Sequence, residues 1–139
     1  MANELATINV STDLSENSTS TYCSIQGGDR KTKAKVYNAA NNPEHKVADC
    51  INQVINVKDV LVEIIELPNE DTGELTQAPR VVLIDDKGEA YQAVSQGIYN
   101  AVKNAIQIFG APTWDEPLPC EIKQVSVGRG SMLTFNIKL

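Results

Sequence analysis

Val57-Lys-Asp-Val-Leu-Val-Glu-Ile-Ile-Glu-Leu67, Arg80-Val-Val-Leu-Ile-Asp85 and Ala90-Tyr-Gln-Ala-Val94 are three runs dense in β-branched and leucine side chains. Such side chains fit a pleated, half-buried surface, so each run reads as a strand. Asp86-Lys87-Gly88 supplies a tight turn between the second and the third. Ser95 then offers an N-cap, and Ile98, Ala101, Val102, Ala105 and Phe109 recur on one helical face. Gly110 and Pro112 stop that helix. Cys120 to Val127 reads as a fourth strand, Gly128-Arg129-Gly130 as a turn, and Met132 to Leu139 as a fifth strand. In this last strand Leu133, Phe135, Ile137 and Leu139 alternate onto one face. The order β-β-β-α-β-β is that of the OB-fold, a five-stranded, partly open barrel. The expected fold is therefore mainly β, an OB-fold barrel with a flexible N-terminal arm.

The apolar residues of Val57–Leu67 fall on both faces. A bent first strand shared by the two halves of a barrel explains this, because its inward face changes along its length. A helix is the rival, disfavoured by the β-branched density. Pro68 to Pro79 reads as an acidic loop with Asn69-Glu70-Asp71-Thr72-Gly73 at its tip. Upstream, Lys33 to Ala39 reads as a short strand ending at Asn41-Asn42-Pro43. Val47 to Val54 stays ambiguous between a helical turn and an irregular approach. Between Ser11 and Ser24, eight of fourteen residues are Ser or Thr, too little apolar surface to offset the entropy of ordering. Residues 1–29 are thus expected to be the arm and residues 30–139 the barrel domain. Two apolar spots in the arm, Ile8-Asn9-Val10 and Tyr22 to Ile25, suit addition to a neighbouring subunit's sheet. Gly27-Gly28-Asp29 reads as a flexible break.

A length of 139 residues and a hydrophobic content of 42% suit one globular domain. No apolar run approaches the roughly 20 residues of a membrane span, and no secretory signal opens the chain. A cytoplasmic protein without membrane contact is expected. Cys23, Cys50 and Cys120 are odd in number and form no C-x-x-C pair, so reduced thiols are expected and no metal site. His45 is the only histidine, and no framework of nucleophile, base and orienting acid surrounds it. Phosphate-binding glycine motifs and H-E-x-x-H are absent. Asp85-Asp86 reads as turn chemistry beside Lys87-Gly88. The chain is expected to be non-enzymatic, with no cofactor.

The net charge is −6, but its distribution is uneven. From Arg30 to Lys46 there are five bases and one acid, whereas Lys58 to Glu89 holds nine acids and three bases. A local positive stripe attracts phosphates even on an acidic protein, since salt limits each charge's reach to about 10 Å. The alternative is a solvated segment without a partner. Only seven aromatics are present, so their placement matters. Trp114 sits in a proline-rich loop, either capping the core or offering a face. Tyr37 ends the basic stripe, and Tyr91 lies on the third strand with its facing open. Tyr99 shares a helix face with Lys103 and is expected to be exposed. Phe109 and Phe135 read as packing residues.

Several stretches resemble the single-stranded DNA-binding proteins of phages and conjugative elements of Gram-positive bacteria. They are Lys35-Val-Tyr-Asn38, Val57-Lys-Asp-Val60, Arg80-Val-Val-Leu-Ile-Asp85, Tyr99-Asn100, and Phe109-Gly-Ala-Pro-Thr-Trp114 with Pro117. The resemblance covers Lys33 to Leu139. It implies an OB-fold that coats single strands without sequence preference during replication or transfer. Unlike housekeeping single-strand-binding proteins, the chain ends in a strand at Leu139 without an acidic tail. The expected partner is single-stranded DNA, with RNA left open, and self-association is expected through the arm. Single strands are held by basic grooves with aromatic faces. Phosphates are accordingly expected at Lys31, Lys33, Lys35, Lys123 and Arg129, and stacked bases at Tyr37, Tyr91 and Trp114. The competing reading is an OB-like protein-interaction or assembly module that binds no nucleic acid.

Overall fold

One long strand, β3 (Val54–Pro68), organises the molecule. The structure is a computed structural model and describes residues 21–25, 28–128 and 130–138. The first part of β3, Val54–Val57, pairs with β6 (Leu118–Val127). From Val57 to Pro68 it pairs with β4 (Leu75–Asp85). The register breaks between Val57 and Asp59. A bulge there shifts the side-chain alternation by one. The residues facing the main core change accordingly, from Ile55 and Val57 to Val60 and Val62. The expected change of inward face along the first strand is thus located at Lys58.

β4 continues to β5 (Ala90–Val94), and β6 to β7 (Gly130–Ile137). Two residues, His45–Lys46, form β2 and run parallel to β5. The sheet order is β2-β5-β4-β3-β6-β7. Among the described residues no ladder joins β5 to β7, so the curled sheet stays open along that seam. This is the expected OB-like architecture, partly open and mainly β.

Both faces of the sheet are covered. Helix α2 (Gln96–Phe109) packs Ile98, Tyr99, Val102 and Ala105 into the main core, with Val60, Val62, Val81, Leu83 and Ile122. The Ser95 hydroxyl caps it by accepting from the Ile98 N–H at 3.1 Å. On the opposite face, Leu61, Val82, Ile84 and Ala90 form a second apolar cluster. It is covered by helix α1 (Arg30–Asn41) through Val36, Ala39 and Ala40. The apolar residues on both sides of β3 therefore have two causes, the bulge and this second cover.

α1 corrects the expected strand at Lys33–Ala39. Thr32, Val36, Ala39 and Ala40 line its covered side at helical spacing, and its lysines and alanines are good helix formers. Asp29, expected in a flexible break, is the N-cap and accepts from the Thr32 N–H at 2.9 Å. That bond, with the Thr32 hydroxyl, holds the Asp29 carboxyl below its ordinary range. The ambiguous stretch resolves into a 3-10 turn at Val47–Cys50 followed by β3.

Three smaller expectations also change. The acidic loop shrinks to residues 69–74, because β3 runs to Pro68 and β4 starts at Leu75. Before Arg80, β4 has no β5 neighbour, and a proline such as Pro79 is tolerated on such an edge. Tyr99 is 1% exposed and belongs to the core, whereas Phe109 at the helix end is 43% exposed. Thr21–Cys23, expected within the arm, forms β1 and pairs with Leu61–Glu63 of its own chain, with Tyr22 buried. Ile8-Asn9-Val10 and the rest of residues 1–20 lie outside the described residues, as does Leu139. Among the described residues, no helix is long and apolar enough to cross a membrane.

Candidate nucleic-acid interface

Lys31, Lys33, Lys35 and Tyr37 would share one face of a strand. On α1 they divide, because residues four apart are neighbours on a helix and residues two apart are not. Lys31 and Lys35 flank one side of the covered stripe, and Lys33 and Tyr37 flank the other. All four side chains are exposed, Tyr37 at 63%. The basic stripe is therefore a helical ridge with a cation pair on one shoulder and a lysine beside an open tyrosine ring on the other.

Tyr91 points toward the main core and is half-buried. Its hydroxyl donates to Asp85 Oδ2 at 3.1 Å. Its ring stacks on His45, with centroids 4.7 Å apart and planes at 23°. Burial, and then the Asp85 carboxylate, push its phenol up to about 12. Asp85 is a turn residue as expected, for its Oδ1 also accepts from the Lys87 and Glu89 N–H groups. His45 is exposed and its Nε2 lies 2.7 Å from Glu89 Oε1. One face of the Tyr91 ring is thus already covered by the imidazole.

Trp114 is half-buried against the main core. Its indole N–H donates to the Gly110 carbonyl at 2.9 Å, and its backbone N–H donates to the Lys58 carbonyl at 3.0 Å. It lines a concave surface with Phe109, Asp115, Glu116 and Pro117. The indole joins both alternatives weighed from sequence: one part seals the core and the other reaches the surface. The loop is held by Asp59, whose Oδ1 accepts from the Ser24 hydroxyl at 2.8 Å and from the Thr113 hydroxyl. Ser24 in turn exchanges bonds with the backbone of Val60. This knot ties β1, the β3 bulge and the α2–β6 loop together.

Lys123 lies on β6, with β3 between β6 and β4. Its ammonium donates to Asn52 Oδ1 at 3.2 Å and stands 3.7 Å from Glu121. Among the described residues, it is the most internally engaged of the expected cations. Arg129 lies outside the described residues. The structure brings Lys31, Lys33, Lys35 and Tyr37 onto one element and sets Lys123 apart from them. Among the described residues, no group of three or more His, Cys, Asp or Glu side chains is arranged to hold a metal.

A family model of phi29-type phage single-stranded DNA-binding proteins matches residues 15–138. The chain belongs to this family. It is a single-stranded DNA-binding protein, and the match takes in β1 and the start of α1, which the resemblance from Lys33 onward left out. No curated protein and no solved structure matches it.

Sequence reasoning missed two lysines of this phage-type protein. Lys58 at the bulge and Lys87 in the β4–β5 turn line one pocket with Lys35. Both lie in the stretch read as acidic, where nine acids hide three bases. The available signal was local: Lys58 stands in Val57-Lys-Asp-Val60 and Lys87 in the turn after Asp86.

Proposed function

We propose that the protein coats single-stranded DNA without regard to sequence during replication or transfer of a phage or mobile-element genome. Family membership over residues 15–138 carries this reading. The exposed ridge of α1 supports it, since phosphate charge and base faces are features common to every sequence. Phosphates meet Lys31, Lys33, Lys35, Lys123 and Arg129. Bases stack on Tyr37, on the outer part of Trp114, and on the side of Tyr91 not covered by His45. The same chemistry admits single-stranded RNA as a second ligand. The protein acts in the cytoplasm by binding and without catalysis.

Residues 1–20 form the associating arm in this reading. Ile8-Asn9-Val10 joins a neighbouring protomer, and the tether raises effective concentration along a coated strand. Thr21–Cys23 pairs with Leu61–Glu63 and buries Tyr22, so the arm proposed as dispensable stops short of this strand. An assembly module that ignores nucleic acid has no comparable support.

Titration of a long single-stranded circle, followed by gel mobility, tests the coating. Continuous retardation to saturation is expected, at similar protein-to-nucleotide ratios for circles of different sequence. Discrete complexes at one preferred sequence contradict non-specific coating. Removal of residues 1–20 should leave the melting temperature nearly unchanged and make saturation more gradual. An equally steep transition contradicts the role of the arm.

A further inference from the structure

We propose that the pocket shared by Lys35, Lys58 and Lys87 receives a phosphodiester of the bound strand, on a path between α1 and Trp114. The proposal rests on the single-strand reading above and gives it a defined phosphate site. The three lysines come from three elements: the exposed side of α1, the β3 bulge and the β4–β5 turn. They border a cavity of about 240 Å³ with Ile25 and Ile84 in its wall.

Asp59, Asp85 and Asp86 also border this cavity, so formal charge alone does not select an anion. The hydrogen bonding does. Asp59 is engaged by the hydroxyls of Ser24 and Thr113. Asp85 accepts two backbone N–H groups and the Tyr91 hydroxyl. Among the described residues, none of the three lysine ammonium groups has an ion pair or a hydrogen bond. The carboxylates of Asp59 and Asp85 are turned to internal structure, Asp86 stands exposed in the turn, and the ammonium groups are left for an outside anion. A concave site with apolar walls strengthens their attraction, because less water screens it.

The position fits a strand path. The Lys58 carbonyl holds the Trp114 backbone N–H at 3.0 Å, so pocket and indole share a junction. Lys35 carries the pocket back to α1 and its other cations. The two groups expected from sequence, the basic stripe and the tryptophan, are joined by lysines that sequence reasoning did not select.

The test compares Lys58→Gln and Lys87→Gln with Lys138→Gln in the full chain. Lys138 lies outside the pocket, 3.5 Å from Glu121. Anisotropy of a labelled single strand, over a salt series, gives the slope of log affinity against log salt. Each pocket variant should flatten that slope by about 0.7, the value of one lost phosphate contact on a single strand. Lys138→Gln should leave it unchanged. Pocket variants that match Lys138→Gln, while the unsubstituted protein binds with full salt dependence, overturn the phosphate site and leave single-strand binding intact. An unsubstituted protein that fails to bind single strands overturns both. Should Lys58→Gln unfold by circular dichroism, the exposed Lys87→Gln decides alone, a flattened slope supporting the site and an unchanged slope overturning it.

Discussion

At the residue scale, Trp114 carries most weight, because it is the only tryptophan and stands at both core and surface. Trp114→Ala should weaken single-strand binding by roughly 1–3 kcal/mol, the worth of one stacked base. Trp114→Phe keeps an aromatic face and loses only the bond to Gly110, so it should recover most of that affinity. Indole fluorescence should quench on adding DNA. Persistent binding without quenching would return Trp114 wholly to the core. Cys120 gives a second prediction. It is 1% exposed, and burial pushes its thiol up to about 12 from an ordinary value of 9.0. At pH 8 it therefore stays protonated in the folded chain and should resist alkylation until denaturant is added. Labelling of Cys120 in the folded protein would contradict the burial of β6. Residue roles were only partly legible beforehand. Asp85 and Ser95 act through local backbone bonds and could be read directly. Tyr99 and Tyr91 depend on which elements cover them, and a lone sequence does not show His45 stacking on a residue as distant along the chain as Tyr91.

Elements were more legible where periodicity was long. β3, β4 and β5 are dense in β-branched and leucine side chains, α2 and β7 follow helical spacing or alternation, and their caps and turns are written locally. α1 was misread because its apolar stripe is thin, formed by Thr32, Val36, Ala39 and Ala40, while lysines at 31, 33 and 35 mimic a strand's polar face. Its outer cluster on Leu61, Val82, Ile84 and Ala90 decides the matter, and that contact is tertiary. The contact of α2 with β7 yields a direct test. Gly97 lies so close to β7 that an added Cβ would collide with the Leu133 carbonyl oxygen and crowd Met132. Gly97→Ala gains up to about 1 kcal/mol of helix propensity. Forcing two packed elements apart costs about 1–3 kcal/mol. The variant should therefore be net destabilised in urea unfolding. A more stable variant would mean that α2 does not sit against β7 at this point.

For the whole molecule, the proposed function has an acidic chain of net charge −6 engage a polyanion through local cations rather than through its net charge. Cations stand on α1 and at the pocket beside the β3 bulge. The acids Glu70, Asp71 and Glu74 crowd the exposed β3–β4 turn. In the proposed reading those acids repel duplex and single strand alike, and discrimination falls to unstacked bases that only a single strand offers to aromatic faces. Anisotropy of one labelled mixed-sequence strand, alone and annealed to its complement, measures that discrimination most directly when both are titrated across the same salt series. The single strand should bind more tightly at every salt concentration, with affinity falling at about 0.7 per phosphate contact. Equal affinity for the duplex, or no binding to the single strand at low salt, would contradict the account.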